Sequence, residues 1–153
     1  MRQEIYSEKG TEGSMTDIHF LIPGKIVPKQ STRFYHGHAV PQKRVQEYAE
    51  KVKAAYMSEY PFCPLVWADK EPLEVVISIY MAVPKSVSKK RKNEMIVYEY
   101  PTKTPDLDNC CKSILDSCKG VIFSDDSQVV ALRVNKFWHE EDITEVLIKE
   151  CKK

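Results

Sequence analysis

The chain has 153 residues, 42% of them hydrophobic and 29% charged, which suits one folded domain with a buried core. A formal net charge of +1 excludes a bulk polycation, so any nucleic-acid site has to come from local clustering. No secretory h-region opens the sequence and no apolar run reaches the roughly 18 residues of a membrane span, so a cytoplasmic protein without membrane insertion is expected.

Residues 1–17 are polar, with Gly10 and Gly13, and read as a flexible arm ahead of a domain spanning 18–153. Ile18 to Ile22 predicts a strand stopped by Pro23-Gly24, and Lys25 to Lys29 continues extended. Ser31 to Pro41, with its turn residues and aromatics, reads as a loop. Val45, Tyr48, Ala49, Val52, Ala55 and Tyr56 recur at helical spacing, which predicts a helix from Gln42 to about Tyr60, ended by Pro61 and Pro64. The β-branched run Leu73 to Met81 is a strand ended by Pro84, and the basic run Lys85 to Lys92 opens a short helix. A second clear helix runs from Asp106 to Lys119, with Leu107, Cys111, Ile114, Leu115 and Cys118 on one face and Gly120 as its stop. Val121 to Phe123 is a short connector, and strands follow at Gln128 to Trp138 and Thr144 to Glu150. Strands and helices mix without regular βαβ alternation, so the fold expected is α+β, a mixed sheet packed with two main helices.

The five cysteines, Cys63, Cys110, Cys111, Cys118 and Cys151, are odd in number and contain no CxxC pair, so reduced thiols are expected rather than a disulfide framework or zinc ribbon. The carboxylates carry more information. Asp106 and Asp108 stand at a helix start, and Asp125 and Asp126 in a loop after that helix. Each has a structural use: Asp106 as an N-cap, Asp108 and Lys112 as an i,i+4 ion pair, Asp116 as another partner of Lys112, and Asp125-Asp126 as turn residues. If the loop folds back beside the helix start, however, Asp106, Asp108 and one of Asp125 and Asp126 converge. Carboxylates that close repel one another unless a hard cation such as Mg²⁺ holds them. Adjacent extended residues point to opposite sides, so only one of the last pair faces such a metal. The Asp-x-Asp-Asn start is shared with EF-hand loops, but Cys111 stands where the loop glycine is needed and Ser117 where the bidentate glutamate belongs. Two basic clusters complete the pattern: Lys25, Lys29 and Arg33, interleaved with Phe34, Tyr35 and His36, and Lys85, Lys89, Lys90, Arg91 and Lys92. They are either solvated faces or a phosphate-tracking surface. His36 and His38 are not expected to be metal ligands.

Pro23-Gly-Lys-x-Val-Pro-Lys29 with Arg33-Phe34, Pro84-Lys-Ser86, Lys103-Thr-Pro-Asp-Leu-Asp-Asn109 with Lys112, Leu115-Asp116, Gly120, Ser124-Asp-Asp-Ser-Gln128 and Lys136 together resemble, in order, the RusA family of Holliday junction resolvases of bacteria and prophages. The resemblance implies a homodimeric, Mg²⁺-dependent endonuclease of recombination and repair, with Mn²⁺ able to substitute. Such an enzyme nicks four-way DNA junctions symmetrically and leaves ligatable 5′-phosphate ends. By the same resemblance Asp106, Asp108 and Asp126 are the metal-binding acids, with Asp125 the alternative to Asp126, and Lys112 is the essential lysine. Lys25, Lys29, Arg33, Lys85, Lys89, Lys90 and Lys136 are the expected DNA contacts. Two other readings use the same residues: a non-catalytic structure-selective DNA-binding module, in which the acids are caps and ion pairs, and a flap or fork nuclease.

Overall fold

The computed structural model describes residues 17–31, 33–40 and 42–153. The arm expected over 1–17 lies, but for Asp17, outside the described residues. In chain order the elements are β1 (Ile18–Pro23), β2 (Arg33–Tyr35), β3 (His38–Val40), α1 (Lys43–Glu59), β4 (Leu73–Ala82), α2 (Lys89–Tyr98), α3 (Leu107–Cys118), β5 (Val129–His139) and β6 (Ile143–Glu150). Four strands form one sheet in the order β1-β6-β4-β5. β6 runs antiparallel to both β1 and β4, and β5 runs parallel to β4 at the sheet edge. This is the expected mixed α+β architecture.

Period-two alternation decides which face is buried. Ile18, Phe20 and Ile22 of β1, Leu73, Val75, Ile77, Ile79 and Met81 of β4, and Thr144, Val146 and Ile148 of β6 all point into the core. α1 contributes Tyr48, Val52 and Tyr56, three positions of its predicted stripe. α3 packs beside α1 and buries more than its stripe promised: Cys110, Ser113 and Ser117 are covered as well as Cys111, Ile114 and Cys118. The two serines are accommodated because Ser113 Oγ donates to Val27 O at 2.7 Å and Ser117 Oγ to Ser113 O at 2.6 Å. Fully burying a side chain such as Ile114 stabilises by roughly 1.5–3 kcal/mol, and this anchoring fixes which way the exposed face of α3 points. Gly120 follows the helix with φ +73°, the left-handed stop its position predicted.

Two expectations change. The segment read as a loop contains a two-stranded hairpin, β2–β3, with Phe34 opposite Ala39 and Tyr35 opposite His38. Its two-residue turn is His36-Gly37, both at positive φ (48° and 78°), the geometry that matches strand twist. The usual Asn-Gly signal is absent, which hid the hairpin from the sequence. The basic run also opens a longer helix than expected: Ser88 caps α2 by accepting from the Arg91 N–H at 3.2 Å, and the helix runs ten residues.

Candidate metal centre and nucleic-acid cleft

In Asp-Leu-Asp-Asn-Cys-Cys-Lys112, the structural and functional uses of the residues separate cleanly. Leu107 packs on the core, and Cys110 and Cys111 are buried. Burial pushes the Cys110 thiol up to about 11 and raises Cys111 as well, so both stay protonated at neutral pH and are poor metal ligands. Asp106 occupies the N-cap position of α3 with extended backbone, yet its side chain makes no capping hydrogen bond. Asp108 and Lys112 form no ion pair with each other, although they stand at i,i+4. Asp106, Asp108 and Lys112 are all exposed, and none has a side-chain hydrogen bond or ion pair among the described residues. Asp116 does not join Lys112 either. Its partner is Lys29, delivered by a segment that runs along α3: Lys29 N–H donates to Asn109 O at 2.9 Å.

The second motif divides the same way. Ser124 Oγ donates to Ala68 O at 2.5 Å. Asp125 caps a single 3-10 turn, Asp126–Gln128, accepts from the Ser127 hydroxyl, and pairs with Lys119 Nζ at 2.6 Å. The Lys119 ammonium and the Ser127 hydroxyl hold the Asp125 carboxyl well below the usual carboxylate range. Gln128 is buried. Its Nε2 donates to Asp69 O at 2.6 Å, Glu71 O at 3.3 Å and Trp67 O at 3.5 Å, while its Oε1 accepts from Asp125 N–H at 3.0 Å. Asp126 is exposed with no side-chain partner among the described residues. Gln128→Ala removes the donor from three carbonyls and the acceptor from one N–H. We expect it to destabilise the fold by about 2–3 kcal/mol in urea unfolding. A loss under about 1 kcal/mol would mean that water replaces the amide.

The fold sets the two groups of free acids apart. Lys136, late in β5, donates to Lys103 O at 2.7 Å and Pro105 O at 3.1 Å, so this part of β5 lies against the start of α3. The loop before β5 is tied to the end of α3 by Lys119–Asp125 and by Gly120 N–H to Phe123 O at 2.7 Å. β5 and α3 therefore run in opposite directions. Asp106 and Asp108 stand at one end of a helix about 18 Å long, and the Asp125–Asp126 loop stands at the other. The loop does not fold back beside the helix start, and among the described residues no three His, Cys, Asp or Glu side chains are grouped so as to hold a metal ion. The donor chemistry of Asp106 and Asp108, free carboxylates with no thiol or imidazole, fits a hard divalent cation, which often takes one or two carboxylates plus water and substrate phosphate. Among the described residues of one chain, no third acid joins that pair.

Asp106 also lines an open cleft of about 520 Å³, with Pro105 and Asn109 on one wall and Lys25, Lys29 and Arg44 among its other lining residues. Two expected DNA contacts, Lys25 and Lys29, thus meet the start of α3. Arg44 lies off the apolar stripe by which the sequence predicts α1, and only the fold brings it to the cleft. The span 18–46 explains the charge: it holds five Lys and Arg and no Asp or Glu. Arg33 is exposed on the hairpin next to the cleft. Lys85, Lys89 and Lys90 are exposed around the start of α2 but do not line this cleft, and Arg91 is engaged by Glu99 and Glu94. No described helix is long and apolar enough to cross a membrane.

A free carboxylate, Asp106, in a cleft that Lys25, Lys29 and Arg44 also line, with Asp108 two residues on, is chemistry that suits a phosphodiester. The sequence comparison is narrower: residues 23–149 match the family described as Endodeoxyribonuclease RusA, and the chain belongs to that family. It is also 43% identical over 83 residues to the uncharacterized protein YqaN of Bacillus subtilis (strain 168), an alignment covering 52% of this chain and 58% of that relative.

Proposed function

We propose that the protein is a divalent-metal-dependent endonuclease that resolves four-way DNA junctions by paired, symmetric nicks as a homodimer. The observation that carries this reading is the division within the two motifs. Of their five charged side chains, Asp125 has partners in the fold, whereas Asp106, Asp108, Lys112 and Asp126 are left facing solvent. Lys25 and Arg44 hold the phosphate chain in the cleft, with Lys29 beside them where its pairing with Asp116 gives way to phosphate, and Asp106 and Asp108 would hold Mg²⁺ or Mn²⁺. When bound, such an ion polarises a phosphoryl oxygen and lowers the pKa of its water. Lys112, one helical turn beyond Asp108, neutralises charge that develops on the phosphorus oxygens or orients the attacking water.

The dimer has a chemical role in this reading. With the free acids at opposite ends of α3, the third ligand, Asp126, comes from a second copy. Val130 and Leu132, a few residues after Asp126 on the edge strand, are 63% and 48% exposed and form the apolar surface where that copy docks. A two-fold axis then sets two identical sites on two strands of a junction.

The test is a panel of synthetic four-way junction, flap and duplex, each with Mg²⁺ or with EDTA. We expect paired nicks on the junction alone, lost in EDTA. Equal cutting of the flap would redirect the reading to a flap or fork nuclease. Salt-sensitive binding with no cut in any metal would leave a DNA-binding module.

A further inference from the structure

The β2–β3 hairpin is built differently from the rest of the domain. Its strands pair only with each other, and all six strand residues are exposed. Phe34 and Tyr35 are 72% and 69% exposed. An isolated two-stranded hairpin is marginal in water, and two neighbouring bare aromatics are a poor choice for a surface that is never covered. The register states how they are displayed. Adjacent residues of a strand point to opposite faces, so Phe34 stands with the small Ala39 on one face, and Tyr35 with His38 on the other. Each face of this thin ribbon carries one aromatic ring. That shape suits insertion between two flat bodies better than lying on one.

The root of the hairpin identifies the occupant. Both ends emerge from the cleft: Ser31 and Arg44 line it, and Gln42 Nε2 reaches Ser31 O at 3.5 Å across the base. Arg33 begins the first strand, and no carboxylate lies anywhere between 18 and 46 to repel a phosphate. A nucleic-acid backbone held by Lys25 and Arg44 therefore leads to the two rings. A second copy of the chain would bring the same cationic root against this one, which disfavours self-association through the hairpin. Bases in intact duplex are stacked and offer no free π-face, whereas bases at a branch point unstack at lower cost.

We propose that the hairpin is a wedge that enters the branch point of DNA held in the cleft and stacks Phe34 and Tyr35 on bases unpaired there. This deepens the nuclease reading by naming what distinguishes a junction from duplex, but its principal readout does not need cleavage. The probe is a four-way junction with 2-aminopurine at the crossover, alongside a linear duplex with the same base. Wild-type protein is expected to change the fluorescence of the junction and not of the duplex. Phe34→Ala/Tyr35→Ala should abolish that change and weaken junction binding about tenfold or more, with duplex binding within twofold of wild type. Phe34→Trp, which keeps a stacking ring, should retain the signal. Both residues are exposed, and circular dichroism checks that the variants fold. No fluorescence change with wild type, or an unchanged one with the double alanine variant, would overturn the wedge. So would equal loss of junction and duplex binding, or a shift in oligomeric state, since either would make the rings a general or self-association contact. If wild type shows the junction-specific signal and never cuts, the nuclease reading fails and the wedge stands.

Discussion

Asp108→Asn is expected to lower junction cleavage on the order of a thousandfold, the scale set by losing a group that stabilises transition-state charge, while junction binding stays within a few-fold. Asp106→Asn and Asp126→Asn should behave alike. Asp125→Asn should not: its carboxylate is already taken up by Lys119 and Ser127, so cleavage should stay within a few-fold of wild type. Single-turnover cleavage and a binding titration on the same junction separate these outcomes. Parallel loss of binding and cleavage in Asp108→Asn would point to a structural role. The placement of the acids adds a sharper check. If Asp126 acts across the dimer, a mixed dimer of Asp108→Asn and Asp126→Asn chains contains one doubly altered site and one intact site. Two inactive proteins, mixed and allowed to exchange, should then recover nicking of one strand but not paired incision. No recovery from verified mixed dimers would place Asp126 in its own chain's site or outside the chemistry.

Lys136→Met is expected to cost about tenfold to a hundredfold in cleavage without weakening junction binding. Resemblance puts Lys136 among the DNA contacts, yet its ammonium donates to the carbonyls of Lys103 and Pro105, directly ahead of Asp106. Removing it leaves both carbonyls without that donor and frees the turn that aims the acid, and misplacement of about 1 Å can cost a hundredfold in rate. The half-saturating Mg²⁺ concentration should rise in parallel, and Lys136→Arg, whose planar fork matches two carbonyls differently, should rescue only in part. A lysine acting on phosphate predicts the opposite pattern: weaker binding to every DNA and a salt slope reduced by about one. That pattern would return Lys136 to the interface.

Much of this was legible before the fold was known. Long periodic elements announced themselves: the alternation of β4, and the stripes of α1 and α3, needed only apolar spacing. The candidate acids stand out because Asp-x-Asp at a helix start and Asp-Asp in a loop each set two carboxylates close together in the chain, although the two motifs themselves lie apart in the fold. Spacing could not show which of the two adjacent acids is free. That follows from tertiary contacts, since Lys119 reaches Asp125 and Gln128 locks the turn onto the loop around Asp69. Nor could it show that the loop sits at the far end of α3, because β5 returns antiparallel to the helix and carries the loop away. Arg44 is hidden for a related reason: its place in the cleft depends on where the start of α1 lies relative to the α2–α3 connection at Thr104-Pro105.

On the proposed function, the acid-free span from 18 to 46 also bears on how the protein meets DNA. The other 124 residues carry 18 Lys and Arg against 22 Asp and Glu. A chain that is almost neutral overall is therefore uneven in charge, and three of the five cations of this acid-free span, Lys25, Lys29 and Arg44, line one cleft. In the field of a DNA rod such a molecule experiences little net pull but a definite torque, which turns the cleft forward during approach. The gain lies in orientation more than in capture. Arrival with the working face leading raises the productive fraction of collisions, while the weak overall attraction keeps the protein from lingering on the long stretches of ordinary duplex.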